Sequence, residues 1–211
     1  MSSLIFKIED YQVSVATDTL AVESEFARPS HFTTKTLILP HLRLIVAGTG
    51  TAGFMDRWFT HINTGLIARD VDGLNHFTPT NLIEHWAAWN KEFPSSNANT
   101  TTIYHFGFSE RTGHIHSYAY RSEDGFVPHA RGTGTYAKPD CALLTGPRFS
   151  RDVVRMMKEQ RTIQASAQGK RVHIGGEVWL HRLNRNGFKV TSLGRFADFD
   201  ETEKTIYKPF Q

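Results

Sequence analysis

The first eighteen residues most narrowly limit what this chain can fold into. One apolar run extends from Leu4 to Ile8, and a second extends from Val13 to Ala16 and ends at Asp18. Two short apolar runs around a polar turn predict an antiparallel β-hairpin. Chain ends normally fray unless a sheet holds them, so this early strand predicts a start that is fixed inside the fold.

Ser2 is the residue for which a fixed start would have a chemical use. Removal of Met1, which is usual in the cytosol before a small residue, would leave Ser2 with both a free α-amine and a hydroxyl. A terminal amine, with an unperturbed pKa of roughly 7.7–8.0, can act as the base that activates a hydroxyl nucleophile. We therefore expect a nucleophilic Ser2. The alternative is an ordinary translation start without a chemical role.

The residues that follow resemble a known family. The stretch from Val13 to Thr19 looks like the second strand of the proteasome β-type N-terminal nucleophile (Ntn) hydrolases, and Asp18 falls at their aspartate. Residues 35–48 resemble the family's lysine-led third strand, tight turn, fourth strand and glycine. The chain is similar to bacterial proteasome homologues of the HslV, Anbu or β-proteobacterial type. The resemblance implies an α+β fold, namely a four-layer αββα sandwich with two mostly antiparallel sheets between helix pairs.

The resemblance also implies a set of catalytic residues. Ser2 would be the nucleophile, Asp18 and Lys35 would tune its amine, and the backbone N–H of Gly48 would help to form the oxyanion hole. Thr133, in Gly-Thr-Gly, would replace the serine hydroxyl that lies near the terminal amine in the family.

Two departures from the family pattern bear on this set. Ungapped counting from Ser2 puts the family's lysine position at Thr34, and a one-residue slip in a strand turns a side chain to the opposite face. Lys35 can serve only if a loop at residues 21–33 absorbs one extra residue and the following turn is one residue shorter; otherwise Lys35 is a solvent-facing strand lysine. Before the Gly-Gly pair at 175–176, Arg171 and Ile174 stand where β-subunits carry an aspartate and a serine.

Helical periodicity and capping signals predict the later elements. Phe54, Trp58 and Ile62 share one helical face, and Thr78-Pro79 predicts the start of a second helix, with Thr78 as N-cap. A third helix is expected from about Ser150. The remaining strands are expected at 103–108, 115–120, and on both sides of a tight turn at 184–187 that contains Asn-Gly.

Composition limits the class of protein. A length of 211 residues, with 39% hydrophobic and 21% charged residues, is typical of one globular domain spanning 1–211. The net charge of +3 is spread along the chain, which gives no nucleic-acid signature. No apolar run is long enough to span a membrane, and no signal sequence is evident. A single cysteine, Cys141, excludes an internal disulfide and favours a reducing, cytoplasmic location.

No cofactor or metal is expected. No nucleotide-binding glycine pattern is present, since Gly-Thr-Gly lacks the wider spacing that such loops need. Among eleven histidines, His114 and His116 alternate on one predicted strand, but no further ligand is evident to complete a metal site.

The expected function is hydrolysis of peptide (amide) bonds through Ser2. The resemblance implies a homo-oligomeric ring, a peptide or unfolded-protein substrate, and an ATP-dependent unfoldase as a candidate partner. Two alternatives stay open. One is a catalytically inactive ring or scaffold subunit, and the other is a small-molecule Ntn amidase.

Overall fold

The computed structural model describes residues 3–23, 28–94, 99–146, 148–168 and 171–208. Its helices are α1 (Phe54–Gly65), α2 (Val71–Glu92), α3 (Phe149–Ser166) and α4 (Phe199–Tyr207). Its strands are β1 (Leu4–Glu9), β2 (Gln12–Asp18), β3 (Leu20–Glu23), β4 (Arg28–Phe32), β5 (Thr36–Leu39), β6 (Leu44–Gly50), β7 (Thr101–Phe108), β8 (Ile115–Arg121), β9 (His129–Ala130), β10 (Gly134–Lys138), β11 (Glu177–Asn184) and β12 (Gly187–Arg195).

Two five-stranded sheets organise the described residues. The first sheet has the order β10-β1-β2-β11-β12, and the second has the order β5-β6-β7-β8-β9. Every strand pairing in them is antiparallel. The mixed helices and antiparallel sheets agree with the α+β class predicted from the sequence.

The hairpin at the start of the chain lies inside the first sheet. β1 pairs with β2 on one side and with β10 on the other, with Leu4 opposite both Thr17 and Lys138. Alternate residues of β1 enter different hydrophobic clusters: Leu4 and Phe6 pack with residues of β6 and β7, and Ile5 packs with residues of α3. β1 is therefore buried on both faces and paired along both edges, which holds the start of the chain in place.

Three hydrophobic clusters connect sheets and helices in the described part of the chain. One joins the two sheets, through residues such as Val15 and Phe106. Another joins the second sheet to α1 and α2 around the fully buried Trp58. The third joins the first sheet to α3 around Val153 and Met157. Burying each large apolar side chain contributes about 1.5–3 kcal/mol, so these contacts dominate the stability of the fold.

The start of α2 corrects the prediction made at Thr78-Pro79. The helix begins eight residues earlier than predicted, at Val71, where the carboxylate of the N-cap residue Asp70 accepts a hydrogen bond from the N–H of Gly73 at 2.8 Å. Pro79 lies inside the helix, and the Thr78 hydroxyl donates to the carbonyl of Leu74 at 2.8 Å. The buried face of the helix outweighs the hydrogen bond that proline cannot make.

The stretch predicted as a loop at 21–33 contains a small hairpin instead. β3 and β4 pair antiparallel, with a register irregularity between Ala21 and Val22. α4 closes over it, because Phe32 and Phe199 stack with ring centroids 4.9 Å apart. The tight turn at 184–187 is confirmed, since Asn184 pairs with Gly187.

No helix in the described ranges combines the length and the apolar composition needed to cross a membrane.

We expect Gly176→Ala to destabilise the fold. Gly176 has φ +79°, and a Cβ there would overlap the Thr19 hydroxyl oxygen and approach the Phe32 ring at 3.0 Å. A left-handed alanine and the steric overlap together should cost about 2–4 kcal/mol in the free energy of unfolding, measured by urea denaturation. Gly132→Ala is the control, because a Cβ at Gly132 would have no atom within 4 Å. Equal stability of both variants would contradict the packing described.

The buried His105 side chain makes the stability of the fold depend on pH. It is fully buried, accepts a hydrogen bond from Trp58 Nε1 at 2.9 Å through Nε2, and has an unpartnered Nδ1 among the described residues. Burial lowers the pKa of His105 to about 3, whereas the unfolded chain titrates near pH 6.5. Below pH 6.5 the unfolded state therefore binds a proton that the folded state does not, and stability falls as pH falls.

We expect His105→Gln to flatten this dependence. The amide can still accept from Trp58, and the proton-binding difference disappears. Between pH 6 and 4.5 the slope of unfolding free energy against pH should become shallower by up to about 1.4 kcal/mol per pH unit. Urea denaturation at several pH values measures the slope, with the exposed His76→Gln as control. An unchanged slope in His105→Gln would refute this assignment.

Candidate active site

A buried ion pair lies where β2 ends and β5 begins. Lys35 Nζ donates to Asp18 Oδ1 at 2.9 Å and to the carbonyl of Leu20 at 2.6 Å. The two side chains are 8% and 0% exposed. An ammonium has three donors, and the third of Lys35 has no acceptor among the described residues. The pair therefore combines a fixed positive charge with one donor left for another group.

Asp18 accepts three hydrogen bonds. Its Oδ1 also accepts the backbone N–H of Ser3 at 2.9 Å, and its Oδ2 accepts the N–H of Gly175 at 3.1 Å. Three donors from distant parts of the chain thus converge on one buried carboxylate. Such a carboxylate holds its neighbours in place, because an unpaired charge at this depth would be costly.

The structure brings Lys35 to Asp18 despite the one-residue offset. Lys35 immediately precedes β5, so the strict alternation of a paired strand does not fix its direction. The β3–β4 pair, with its register irregularity, lies between the two residues in the chain. The alternative of a solvent-facing Lys35 is wrong, because this residue is 7% exposed.

Ser3 is anchored by its side chain as well as by its backbone. Its hydroxyl donates to Gln160 Oε1 on α3 at 2.5 Å, and the amide of that fully buried glutamine donates to the carbonyl of Pro139. Ser2, the predicted nucleophile, lies outside the described residues.

Gly48 lies on the second sheet beside the pair. Its N–H points to the carbonyl of Lys35 at 3.4 Å, which is a long and therefore weak hydrogen bond. A Cβ at Gly48 would come within 2.9 Å of Met55. Because Gly48 has no side chain, α1 can pack against this end of β6. The N–H of Gly48 makes only a weak hydrogen bond.

Thr133 does not lie with the other predicted site residues. Gly134 pairs with Ile8, and the exposed hydroxyl of Thr133 points toward Asp10 Oδ1 at 3.4 Å, at the turn between β1 and β2. Five residues of strand separate Ile8 from Ser3, a span of about 17 Å. The Gly-Thr-Gly motif leads into a strand at the opposite end of the sheet, so the structure does not bring Thr133 to the other predicted site residues.

Several groups at this end were not predicted. They are the N–H of Gly175, the Thr17–Thr36 hydroxyl pair at 3.3 Å, and Lys138, which donates to Thr102 Oγ1 at 2.7 Å. Burial lowers the pKa of Lys138 below its ordinary value. Backbone donors and contacts between sheets leave no local pattern in a sequence, so only the strand register reveals them.

Ile174 and Arg171, the two departures from the family pattern before Gly175, lie in different environments. Ile174 is 4% exposed and belongs to the apolar cluster under α3. Arg171 is exposed, and its Nε donates to the carbonyl of Ala167 at 2.9 Å, at the end of α3. Between them lies His173, whose pKa is lowered by burial and by the charge of Arg171. In this segment it is the backbone of Gly175 that contacts Asp18.

The rings of His114 and His116, which were predicted to share one strand face, have different hydrogen-bond partners. His116 Nδ1 lies 2.7 Å from Asp72 Oδ1, and His114 Nε2 lies 3.2 Å from the Tyr11 hydroxyl. Within the described ranges, no three metal-ligating side chains converge.

Comparison with known proteins relates this chain to one fold. No protein-family model matches the sequence, and no curated protein matches it. The solved structure of Anbu (ancestral β-subunit) from Yersinia bercovieri matches with a TM-score of 0.60 at 10% sequence identity. The match covers 99% of this chain and 94% of that one. The likeness supports the proteasome-like Ntn fold predicted from the sequence and does not distinguish among its types.

We expect Asp18→Asn to destabilise the protein strongly. The change leaves a buried ammonium without its counter-charge, which should cost about 3–5 kcal/mol in the free energy of unfolding. Glu92→Gln is the control, since Glu92 pairs with Arg57 at 2.8 Å on the surface, where such pairs contribute below about 1 kcal/mol. Chemical denaturation measures both variants, and similar losses would contradict a special role for the buried pair.

Proposed function

We propose that this chain is a proteasome-like peptidase subunit that hydrolyses amide bonds through Ser2 after removal of Met1. The observation that carries the proposal is the buried Asp18–Lys35 pair, which is hydrogen-bonded to the backbone N–H of Ser3. A positive charge is thereby fixed close to Ser3, the residue that follows the proposed nucleophile in the chain. The shared fold is compatible with this activity, although a fold alone does not give a function.

Lys35 would act on the terminal amine through its charge. A neighbouring ammonium disfavours protonation of the Ser2 amine, which leaves more of that amine neutral and able to accept a proton. The amine would take the hydroxyl proton as the Ser2 oxygen attacks the substrate carbonyl. Asp18 keeps Lys35 charged and fixed.

The remaining steps complete hydrolysis. The tetrahedral oxyanion would accept the N–H of Gly48, which exchanges its long bond to the carbonyl of Lys35 for a stronger one. The amine would return the proton to the leaving nitrogen as the C–N bond breaks, giving an ester on Ser2. Water would then hydrolyse the ester and release the carboxylic acid.

The wider setting follows from the same proposal. The two sheets, with α1 and α2 outside one and α3 outside the other, would form the four-layer αββα sandwich of the Ntn hydrolases, with α4 as the second helix of the last layer. The subunit would assemble into a homo-oligomeric ring in the cytoplasm and act on peptides or unfolded proteins. An ATP-dependent unfoldase would deliver these substrates.

A second candidate is a ring-forming scaffold without catalysis. The observation that favours it is the segment before Gly175, where Ile174 is buried among apolar residues and cannot supply a hydroxyl. In that case the Asp18–Lys35 pair would only hold the two sheets together. A small-molecule amidase remains the third candidate, separable by its substrate.

Covalent labelling tests these candidates. We expect intact-mass analysis to show loss of Met1, and a β-lactone probe to acylate Ser2. Ser2→Ala should abolish labelling. Lys35→Met should slow it by about 10²-fold or more, because the base is then protonated and the serine is not activated. Turnover of peptide and of small amide substrates distinguishes the peptidase from the amidase.

The exposed Lys91→Met is the matched control and should label at the rate of the unmodified protein. Retention of Met1 together with absence of labelling would refute the peptidase and favour the scaffold. Equal labelling of Lys35→Met and Lys91→Met, with both variants folded, would refute the role given to Lys35.

A further inference from the structure

A cavity far from the Asp18–Lys35 pair has no part in the proposed chemistry. It has a volume of about 390 Å³ and lies between the outer face of the first sheet and the first turn of α3. Its charged lining consists of Lys7, Arg148, Arg151 and Arg182, with Glu9 as the only carboxylate. We call it the cationic cavity.

The floor of the cationic cavity is a row of residues across three strands. Lys7 of β1 pairs with Ser14 of β2, and Ser14 pairs with Arg182 of β11. Residues paired in this way share one face of the sheet. The row therefore places one cation on each side of one hydroxyl, on the face that α3 covers elsewhere with apolar contacts.

The charges of the arginines are not neutralised. Glu9 is occupied, because Lys7 Nζ lies 2.9 Å from Oε1 and Gln12 Nε2 donates to Oε2 at 3.0 Å. No carboxylate among the described residues lies within 4.0 Å of the guanidinium groups of Arg148, Arg151 or Arg182. The cavity thus carries a net positive charge that nothing described in the chain balances.

A buried hydroxyl lies at the centre of this charge. Ser14 is 2% exposed and lines the cavity, and its oxygen accepts a hydrogen bond from Arg182 Nε at 3.3 Å. Its hydroxyl hydrogen has no acceptor among the described residues. A buried O–H donor without an acceptor is unfavourable, and an acceptor in the cavity would satisfy it.

The orientation of α3 also favours an anion in the cationic cavity. Negative charge stabilises the first turn of a helix. The first turn of α3 instead carries two arginines, Arg148 and Arg151. Arg148 is the N-cap residue, and its side chain makes no capping hydrogen bond. The one acid of that turn, Asp152, does not line the cavity. Cations are concentrated where the helix itself favours an anion.

We propose that the cationic cavity binds a phosphate group. Such a group would accept hydrogen bonds from the arginines and from Ser14 and would balance the charge. Arginine suits this ligand because its planar fork matches two oxygens at once. The volume exceeds that of free phosphate, so both inorganic phosphate and a small phosphomonoester fit this chemistry. The site is independent of the proposed peptidase activity.

Thermal unfolding in the presence of inorganic phosphate tests the proposal. At constant ionic strength, phosphate should raise the Tm saturably relative to chloride and acetate. The double variant Arg148→Gln/Arg151→Gln should bind phosphate at least about tenfold more weakly, since charge-assisted hydrogen bonds are lost. Without phosphate this variant should be at least as stable as the unmodified protein, because cations leave the start of the helix.

A control variant and a second ligand make the outcome of this experiment decisive. Arg111→Gln, an exposed arginine in the turn between β7 and β8, should leave phosphate affinity unchanged. Phosphoserine in place of phosphate distinguishes the sources, since tighter binding would identify a phosphomonoester. Absence of a saturable phosphate effect in the unmodified protein would overturn the proposal. An equal effect in the double variant and in Arg111→Gln would overturn it as well.

Discussion

The candidate site depends on a single carboxylate that is completely withdrawn from water. Asp18 ends β2 of the first sheet, Lys35 precedes β5 of the second, and Gly175 belongs to the segment that follows α3. Each provides a donor or an acceptor that the others require, because a charge at this depth is tolerated only when it is paired and hydrogen-bonded. The two sheets and the start of the chain are therefore fixed relative to one another by electrostatics as well as by apolar packing.

The sequence predicted those features that depend on local alternation or on turn chemistry. The first hairpin and the tight turn before Gly187 could be read from short stretches. The meeting of Asp18 with Lys35 could be inferred only through a family resemblance, because counting positions placed the lysine one residue from where it was expected. A small hairpin lies between the two residues in the structure, and the sequence between Glu23 and His31, which is rich in polar and charged residues, did not predict it.

The contacts between residues that are far apart in the chain could not be predicted from the sequence. Thr133 belongs to a plausible motif, but strand register places it at the wrong end of β1. Thr78-Pro79 has the chemistry of a helix start, yet tertiary packing continues the helix through it. In both cases a correct local rule was overridden by contacts with residues far away in the chain, which is the usual limit of single-sequence reasoning.

The anchoring of Ser3 also has a consequence in time. Its hydroxyl is held by Gln160, a residue separated from it by 157 positions. At synthesis rates of about 5–20 residues per second, Gln160 is made roughly eight to thirty seconds after Ser3. During most of that interval the nascent first strand has neither its helix partner α3 nor its neighbour β10 to pack against. Ser3 and the first strand therefore stay accessible to other proteins until α3 has been synthesised.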